Sequence, residues 1–377
     1  MTDMRRLLIV LVLVLAACGP RPHGNEAKVV PSLSPTATAQ PTATPVDAAF
    51  PEKPNVGYLK MTGAVGWSYA WGRNGAARAY RTANAGIDWV PLSLPDSVVG
   101  MFALDADHAW VVLGGARGAM VEATSDSGRS WLAASPLGIP AVVADTTFTD
   151  PLVGSLSVVG ADGASASYVT GDGGRTWAAL ALPAAPGCPG RFLTTFSDRL
   201  RGLLVPEACA APAGLWRTDD GGSSWVSVVL PPAPWTGPGA TLFSLQVPVL
   251  HGQDGWMVGA GGVTTGANAL QHAWLYRTHD GGRTWTEAGL PATPGPNRDF
   301  SRAPSLWFAG YVNGDNERAF LYHSADAGSN WNRVRELPFN PRGLQFNDDL
   351  HGYAAGFDAI WVTADGGRTW GNSNSRA

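Results

Sequence analysis

The sequence predicts an all-β fold, a propeller of seven blades with four antiparallel strands in each. Three observations predict it. A short motif, Ser/Thr-x-Asp-x-Gly-x-x-Trp, recurs seven times, and its tryptophans fall at 89, 131, 177, 225, 285, 331 and 370, at intervals of 42, 46, 48, 60, 46 and 39 residues. Units of that length each hold four short strands and their turns. About 20 to 30 residues before most copies, an aromatic or apolar residue, a polar turn and then Gly with an apolar run read as a hairpin. Finally, 47 Gly, 29 Pro and 16 Trp among 377 residues, with only 15% charged, suit many turns between aromatic strands.

Along the chain, residues 1–17 read as a targeting segment rather than structure. Arg5 and Arg6 precede the apolar run Leu7 to Leu15, which is short for a bilayer span. Residues 18–52, rich in Pro, Thr, Ala and Ser, hold too little apolar surface to fold and read as a tether. Residues 53–377 form the propeller domain. Its first motif, Thr82 to Trp89, is the most worn, with Asn84 where the others have Asp and with Asp88 before Trp89. Thr124 to Trp131 follows, then Phe148 to Gly154 as a hairpin signal ahead of Thr170 to Trp177. The fourth unit has Phe196-Ser197-Asp198 leading to Gly202-Leu203-Leu204-Val205, then Thr218 to Trp225. Asp254-Gly255-Trp256-Met257-Val258-Gly259 precedes Thr278 to Trp285, and Ser324 to Trp331 closes the sixth unit. Phe346-Asn347-Asp348 leads to Gly352 and the last motif, Thr363 to Trp370.

The motif is turn chemistry. The carboxylates of Asp126, Asp172, Asp220, Asp280, Asp326 and Asp365 are expected to fold back onto backbone N–H groups. Gly supplies a backbone angle that a side chain penalises. The closing Trp brings apolar surface and an indole N–H in need of one partner. Seven dispersed copies cannot line one active site, so the motif reads as the clasp of each third-to-fourth-strand hairpin.

These residues match the Asp-box, or bacterial neuraminidase, repeat, and the resemblance covers about residues 55 to 374. Seven boxes with preceding Gly-Trp/Tyr hairpins resemble the photosystem II assembly-factor type of seven-bladed propeller most. That resemblance implies a non-catalytic module for protein binding or complex assembly. Asp boxes also occur in sialidases, sortilin-type receptors and xyloglucan-cleaving enzymes, so a glycan-binding or sialidase-like glycoside-hydrolase propeller is the alternative. Leu15-Ala16-Ala17-Cys18 resembles the bacterial lipobox. It implies cleavage before Cys18, a lipid on its sulfur, and an extracytoplasmic protein anchored to the cell membrane.

Cys188 and Cys209 are equidistant from the turn at Asp198-Arg199 and are expected to form a disulfide in that compartment. The alternative is two free thiols. No Gly-x-x-x-x-Gly-Lys-Ser/Thr loop, Gly-x-Ser-x-Gly elbow, His-Glu-x-x-His or Cys-x-x-Cys occurs, and the early Arg-Ile-Pro of sialidases is missing. No catalytic residue, metal or cofactor is assigned. A net charge of −4 argues against nucleic acid as a partner, and a monomer is expected.

In this strand order the first-to-second and third-to-fourth turns share one face with the boxes. The fourth-to-first and second-to-third connections form the other. The longest irregular segments, Pro231 to Ala240, Ala260 to His272, Pro291 to Pro304 and Asn313 to Arg318, map to that second face. Arg73, Arg78, Arg117, Arg191, Arg298, Arg302, Arg318 and Arg342 collect there as well. Arg191, Arg298, Arg302, Arg318 and Arg342, with Trp235 as an aromatic anchor, are the candidate binding residues for a protein or acidic peptide. The alternative is an ordinary solvated surface on a chain that favours Arg over Lys.

Overall fold

The computed structural model describes residues 50–372 except 52, 73–74, 96, 116–117, 135, 185–191, 208–213, 233–240, 263–270, 291–297, 303–304, 313–314 and 357–358. For 241–243, 262, 271–272, 298–302, 311–312 and 315–317 it describes the backbone alone. Seven antiparallel meanders follow one another. Blade 1 is β1 (Asn55–Thr62), β2 (Val65–Trp71), β3 (Arg78–Thr82) and β4 (Val90–Pro91). Blade 2 is β5 (Val98–Ala103), β6 (Ala109–Leu113), β7 (Met120–Thr124) and β8 (Leu132–Ala133), and blade 3 is β9 (Ala141–Phe148), β10 (Gly154–Gly160), β11 (Ser165–Thr170) and β12 (Ala178–Ala179). Blade 4 comprises β13 (Phe192–Phe196), β14 (Gly202–Pro206), β15 (Leu215–Thr218) and β16 (Val226–Val228).

In blade 5 the first strand is interrupted: β17 (Thr241–Leu245) and β18 (Val249–His251) pair in succession with one edge of β19 (Asp254–Gly262), and β20 (Gln271–Thr278) and β21 (Thr286–Ala288) complete the meander. Blade 6 is β22 (Arg298–Arg302), β23 (Leu306–Val312), β24 (Asp315–Ser324) and β25 (Asn332–Glu336). Blade 7 is β26 (Gly343–Phe346), β27 (Gly352–Ala355), β28 (Ile360–Thr363) and β29 (Gly371–Asn372). The described residues contain no helix.

The core lies between blades rather than within them. Trp67 of blade 1 packs with Met101 and Val111 of blade 2, and Trp110 of blade 2 with Leu156 and Val158 of blade 3. Leu203 and Leu215 meet Met257 and Tyr276 across blades 4 and 5, and Trp307 and Leu321 meet Phe346 across blades 6 and 7. Val56, Met61 and Tyr80 of blade 1 share a cluster with Tyr353 and Ile360 of blade 7, so the first and last blades abut and close the ring. Each such side chain, fully buried, contributes about 1.5–3 kcal/mol.

The hairpin signal has a steric basis. Phe148, Phe196 and Phe346 end the first strands of their blades directly opposite Gly154, Gly202 and Gly352. A Cβ at any of these glycines would meet the Phe ring within 2.8 Å, so the ring lies over a residue without a side chain. Freed to lie flat, Phe148 stacks on Trp110 with centroids 3.5 Å apart, and Phe346 on Trp307 at 3.8 Å. The turns between are Asx turns: Asp150 accepts from Leu152 and Val153, Asp198 from Leu200 and Arg201, and Asp348 from Leu350 and His351, all at 2.7–2.9 Å.

Three expected loops are shorter than the composition suggested. Ala260–Gly262 and 271–272 belong to the long β19–β20 hairpin, residues 298–302 to β22, and 315–318 to β24. Glycine is unfavourable in an isolated strand, yet Gly259 is needed here, because a Cβ would run into the Trp274 and Tyr276 rings. Part of the 60-residue interval between the fourth and fifth boxes is the long β19–β20 hairpin, whose ladder runs from Gly255 opposite Thr278 to Gly262 opposite Gln271. β29 is short, but β4, β8 and β12 are equally so.

Candidate partner-binding surfaces

The Asp boxes have one geometry. In blade 3, Thr170 Oγ1 donates to Asp172 Oδ1 at 2.8 Å and accepts from the Gly174 N–H at 2.9 Å. The Thr176 N–H donates to the same Oδ1 at 2.9 Å, and Thr176 Oγ1 donates to Oδ2 at 2.6 Å. Ser130, Ser224, Thr284, Asn330 and Thr369 repeat the latter pair of bonds in blades 2, 4, 5, 6 and 7. These donors hold Asp126, Asp220, Asp326 and Asp365 down at about 2. At Asp280 burial pushes upward, but hydrogen bonds from Thr284 and Thr278 outweigh it and hold the carboxyl at about 2; at Asp172 the same balance also leaves it lowered. Each of these carboxylates is committed to its own turn, with Oδ1 accepting twice and Oδ2 at least once, as at Asp172.

Blade 1 reverses the polarity. Asn84 Oδ1 accepts from the Asp88 N–H at 2.9 Å, and Asn84 Nδ2 donates to Asp88 Oδ2 at 2.7 Å. The negative charge has moved four residues along the box while the bond survives.

Every box also holds two successive left-handed residues. The fourth position (Ala85, Ser127, Gly173, Gly221, Gly281, Ala327, Gly366) has φ between 56° and 77°, and the fifth, always Gly, between 75° and 90°. In six blades the fourth N–H donates to a carbonyl of the same blade's first turn, as from Gly173 to Leu152 at 2.9 Å and from Gly366 to Leu350 at 2.9 Å. Boxes and first turns therefore share a face. The fifth glycine serves the neighbouring blade: from blade 2 to blade 7, Trp67, Trp110, Leu180, Leu203, Leu275 and Leu321 of the preceding blade come within 3.4 Å of where its Cβ would lie. At Gly86 of blade 1 only its own box Trp89 lies within 4 Å of that point.

The closing indoles do not all find the expected partner. Trp285 and Trp370 donate to Gly282 and Gly367 of their own boxes at 3.1 Å, and Trp331 donates to Gly289 at 2.7 Å. The buried Nε1 atoms of Trp89, Trp131, Trp177 and Trp225 have no hydrogen-bond partner. Packing of the ring against the box glycine decides their position instead, as where Trp177 lies 3.4 Å from the Cβ point of Gly174.

Of the residues expected to bind a partner, Arg191 and Trp235 lie outside the described residues, as do Cys18, Cys188 and Cys209. Arg298 and Arg302 sit on β22 rather than in a loop, opposite Gly310 and Leu306. They occupy the two ends of that strand, so Arg302 is at the box-face end. Arg318 sits on β24, where its guanidinium forms a two-pronged pair with Glu336 at 2.9 and 2.6 Å beside the Phe320 ring. That pair holds Glu336 below the usual carboxylate range. Arg342 is exposed just before β26, on the face opposite the boxes, its N–H bound to Ala355 O at 2.7 Å. Of these arginines, Arg318 and Arg342 are the two whose side chains are described.

On the innermost strands, the described titratable side chains are the half-buried Tyr58 and Lys60 and the exposed Asp145 and His251. Burial pushes the Tyr58 hydroxyl up, and it accepts from the Ala103 N–H at 2.8 Å, joining blades 1 and 2. Burial pushes the Lys60 ammonium down. Among the described residues no three His, Cys, Asp or Glu side chains stand close enough to share a metal.

The composition did not point to one other feature. A groove of about 310 Å³ runs between β16 of blade 4 and the box of blade 5, walled by Val226, Val228 and Val229, with Arg217, Arg283 and Trp285 on its other side. Arg217 is in contact with Asp219, and Arg283 lies 3.8 Å from the same carboxylate. The local signal was present in Arg217-Thr218-Asp219-Asp220 and the uncharged run Val226 to Leu230. What brings Arg283 to them is the seam between two blades, which no local pattern encodes.

Residues 240–376 match the family model described as photosynthesis system II assembly factor YCF48. No curated protein matches the chain. Among solved structures, one described as YCF48 bound to D1 peptide is similar at 19% identity, over 75% of this chain and 83% of that one, with a TM-score of 0.48. A polysaccharide lyase of the ulvan lyase family is similar at 12% identity over 81% of this chain and 91% of that one, TM-score 0.52. A prolyl endopeptidase is similar at 12% identity over 85% of this chain but 50% of that one, TM-score 0.52. Likeness to the lyase and the peptidase shows a shared fold and nothing of activity. The chain is an Asp-box seven-bladed β-propeller whose last three blades match the photosystem II assembly factor family.

Proposed function

We propose that this propeller is a non-catalytic module that binds a protein or peptide during assembly of a membrane-associated complex. The match of residues 240–376 to a family of assembly factors is the observation that carries this reading. The box carboxylates support it, since the most repeated acidic residues of the chain hold turns. The partner-binding region in this reading is the face opposite the boxes, with Arg342 at its rim and Arg191, Trp235 and Arg298 in or beside its connections.

The reading includes an anchor. Cys18 carries the lipid, residues 18–52 tether the propeller outside the cytoplasm, and Cys188 and Cys209 are joined in that oxidising compartment. Mass spectrometry of the N-terminal peptide, with Cys18→Ser as control, tests the lipid; non-reducing peptide mapping tests the disulfide.

The test of function is recovery of partners from the native membrane with the full chain and with an Arg298→Glu/Arg342→Glu variant. Loss of specific partners in the variant is the expected result. Unchanged recovery overturns the assigned face, and turnover of a chromogenic glycoside panel by the wild-type chain overturns the non-catalytic reading.

A further inference from the structure

The fourth strand of a blade exposes an unpaired edge, and such edges are usually blunted by charge, proline or extreme shortness. Most of these edges follow that rule. β25 carries Arg333, Arg335 and Glu336, β21 carries Glu287, β4 ends in Pro91, and β8, β12 and β29 are two residues long. β16 does not. The run Val226-Ser227-Val228-Val229-Leu230 has no charge, and Val226 and Val229 are 68% and 89% exposed, more than any other large apolar side chain described. The segment is held in place beyond the strand, where the Tyr276 hydroxyl of blade 5 donates to Pro231 O at 3.1 Å.

The groove beside this edge is cationic. Arg217 lies opposite Val226 in the ladder, and Arg283 reaches in from the next blade. Two guanidiniums share the single carboxylate of Asp219. The other bond of Arg283 goes to Asp280 O at 3.4 Å, as Arg129, Arg175 and Arg368 bind the same carbonyl of their own boxes. Among the described residues, its approach to an acid of the preceding blade has no counterpart at those other three box arginines.

We propose that the β16 edge is a docking strand for an extended peptide segment, which adds to blade 4 as an outer strand and directs a carboxylate to Arg217 and Arg283. Main-chain hydrogen bonds along the edge supply affinity. Val226 and Val229 take apolar side chains of the peptide, and the two guanidiniums select an acidic residue or a C-terminal carboxylate. The site is independent of the face opposite the boxes.

The experiment is selection of a displayed library of random dodecapeptides on the full chain, followed by titration of synthesised winners. Enrichment of acidic sequences with alternating apolar residues is expected. Their affinity should fall at least tenfold with Arg283→Glu and with Val229→Lys, and likewise when alternate peptide nitrogens are methylated. Both substituted side chains are exposed, so the variants should retain the wild-type melting temperature. Arg342→Glu should leave this binding intact while bearing on the opposite face. No enrichment over a scrambled pool, or winners indifferent to both Arg283→Glu and Val229→Lys, would overturn the proposal.

Discussion

Gln345 of blade 7 grips Met61 of blade 1 through both of its backbone groups. The Met61 N–H donates to Gln345 Oε1 at 2.8 Å, and Gln345 Nε2 donates to Met61 O at 2.6 Å. One amide side chain thus imitates the two-sided pairing of a strand neighbour, at the seam where Gly86 receives no side chain from the preceding blade. Gln345→Ala should destabilise the fold by about 1–3 kcal/mol by leaving both groups partly buried and unpaired. Gln345→Glu, which loses the donor and sets a carboxylate against a carbonyl, should fare no better. Urea midpoints of the three proteins check this.

The reversed box of blade 1 makes a sharper prediction. Asn84→Asp places two carboxylates within hydrogen-bonding distance of each other and should cost about 1 kcal/mol at neutral pH. Adding Asp88→Thr restores the arrangement of the other six boxes and should recover the loss. A double-mutant cycle by urea denaturation measures the coupling. The single variant should approach wild type in acid, where the pair shares a proton.

Three boxes hold a left-handed residue other than glycine, namely Ala85, Ser127 and Ala327. Ala327→Gly should relieve that strain, partly offset by the greater freedom of glycine in the unfolded chain, for a net gain of up to about 1 kcal/mol. Gly328→Ala, one residue on, should do the reverse, because its Cβ would fall 3.0 Å from Leu275 at φ 90°. Melting temperatures of the two variants should move in opposite directions.

Acid should act through the boxes. Asp126, Asp220, Asp280, Asp326 and Asp365 are held at about 2 when folded, below their ordinary 3.8. A carboxyl lowered on folding adds stability that is complete above the unfolded value and disappears as pH falls through the folded one. The urea midpoint should therefore drop between about pH 4 and pH 2. Replacing Asp365 by Asn should flatten that drop slightly.

Loss of the last blade's outer half tests the blade count. A chain ending at residue 360 lacks the Thr363 to Trp370 box and the Trp361 ring that stacks on Phe339 at 4.6 Å. It should melt well below the full chain. An unchanged melting temperature would mean that these strands are not part of the ring.

Much of the fold was legible because the boxes and Phe–Gly hairpins are local. Thr170 to Trp177 contains every group its clasp uses, and Phe148 faces Gly154 across a turn of five residues. The fifth-position glycines look equally local, yet their neighbours Leu203 and Leu275 come from other blades. Glycine runs misled in one direction: Ala260 to Gly262 reads as a loop by propensity, while in the structure it continues the β19 ladder against β20. The candidate site was legible only in part. Arg318 looked available in sequence, but Glu336, eighteen residues away, takes its guanidinium. Arg217 and Arg283 meet through a seam, which becomes visible only once the blades are stacked.

The seating of each box glycine by the blade before it has a consequence for how the molecule comes apart. A row of repeats held by nearest-neighbour contacts has two ends, and its end units fray first. Here the row is bent round until its last member meets its first, and the Gln345–Met61 grip takes the place of a missing seat. Cutting that stitch would leave the seam to the apolar cluster of Val56, Tyr80, Tyr353 and Ile360, with blades 1 and 7 as the places where hydrogen exchange should first quicken.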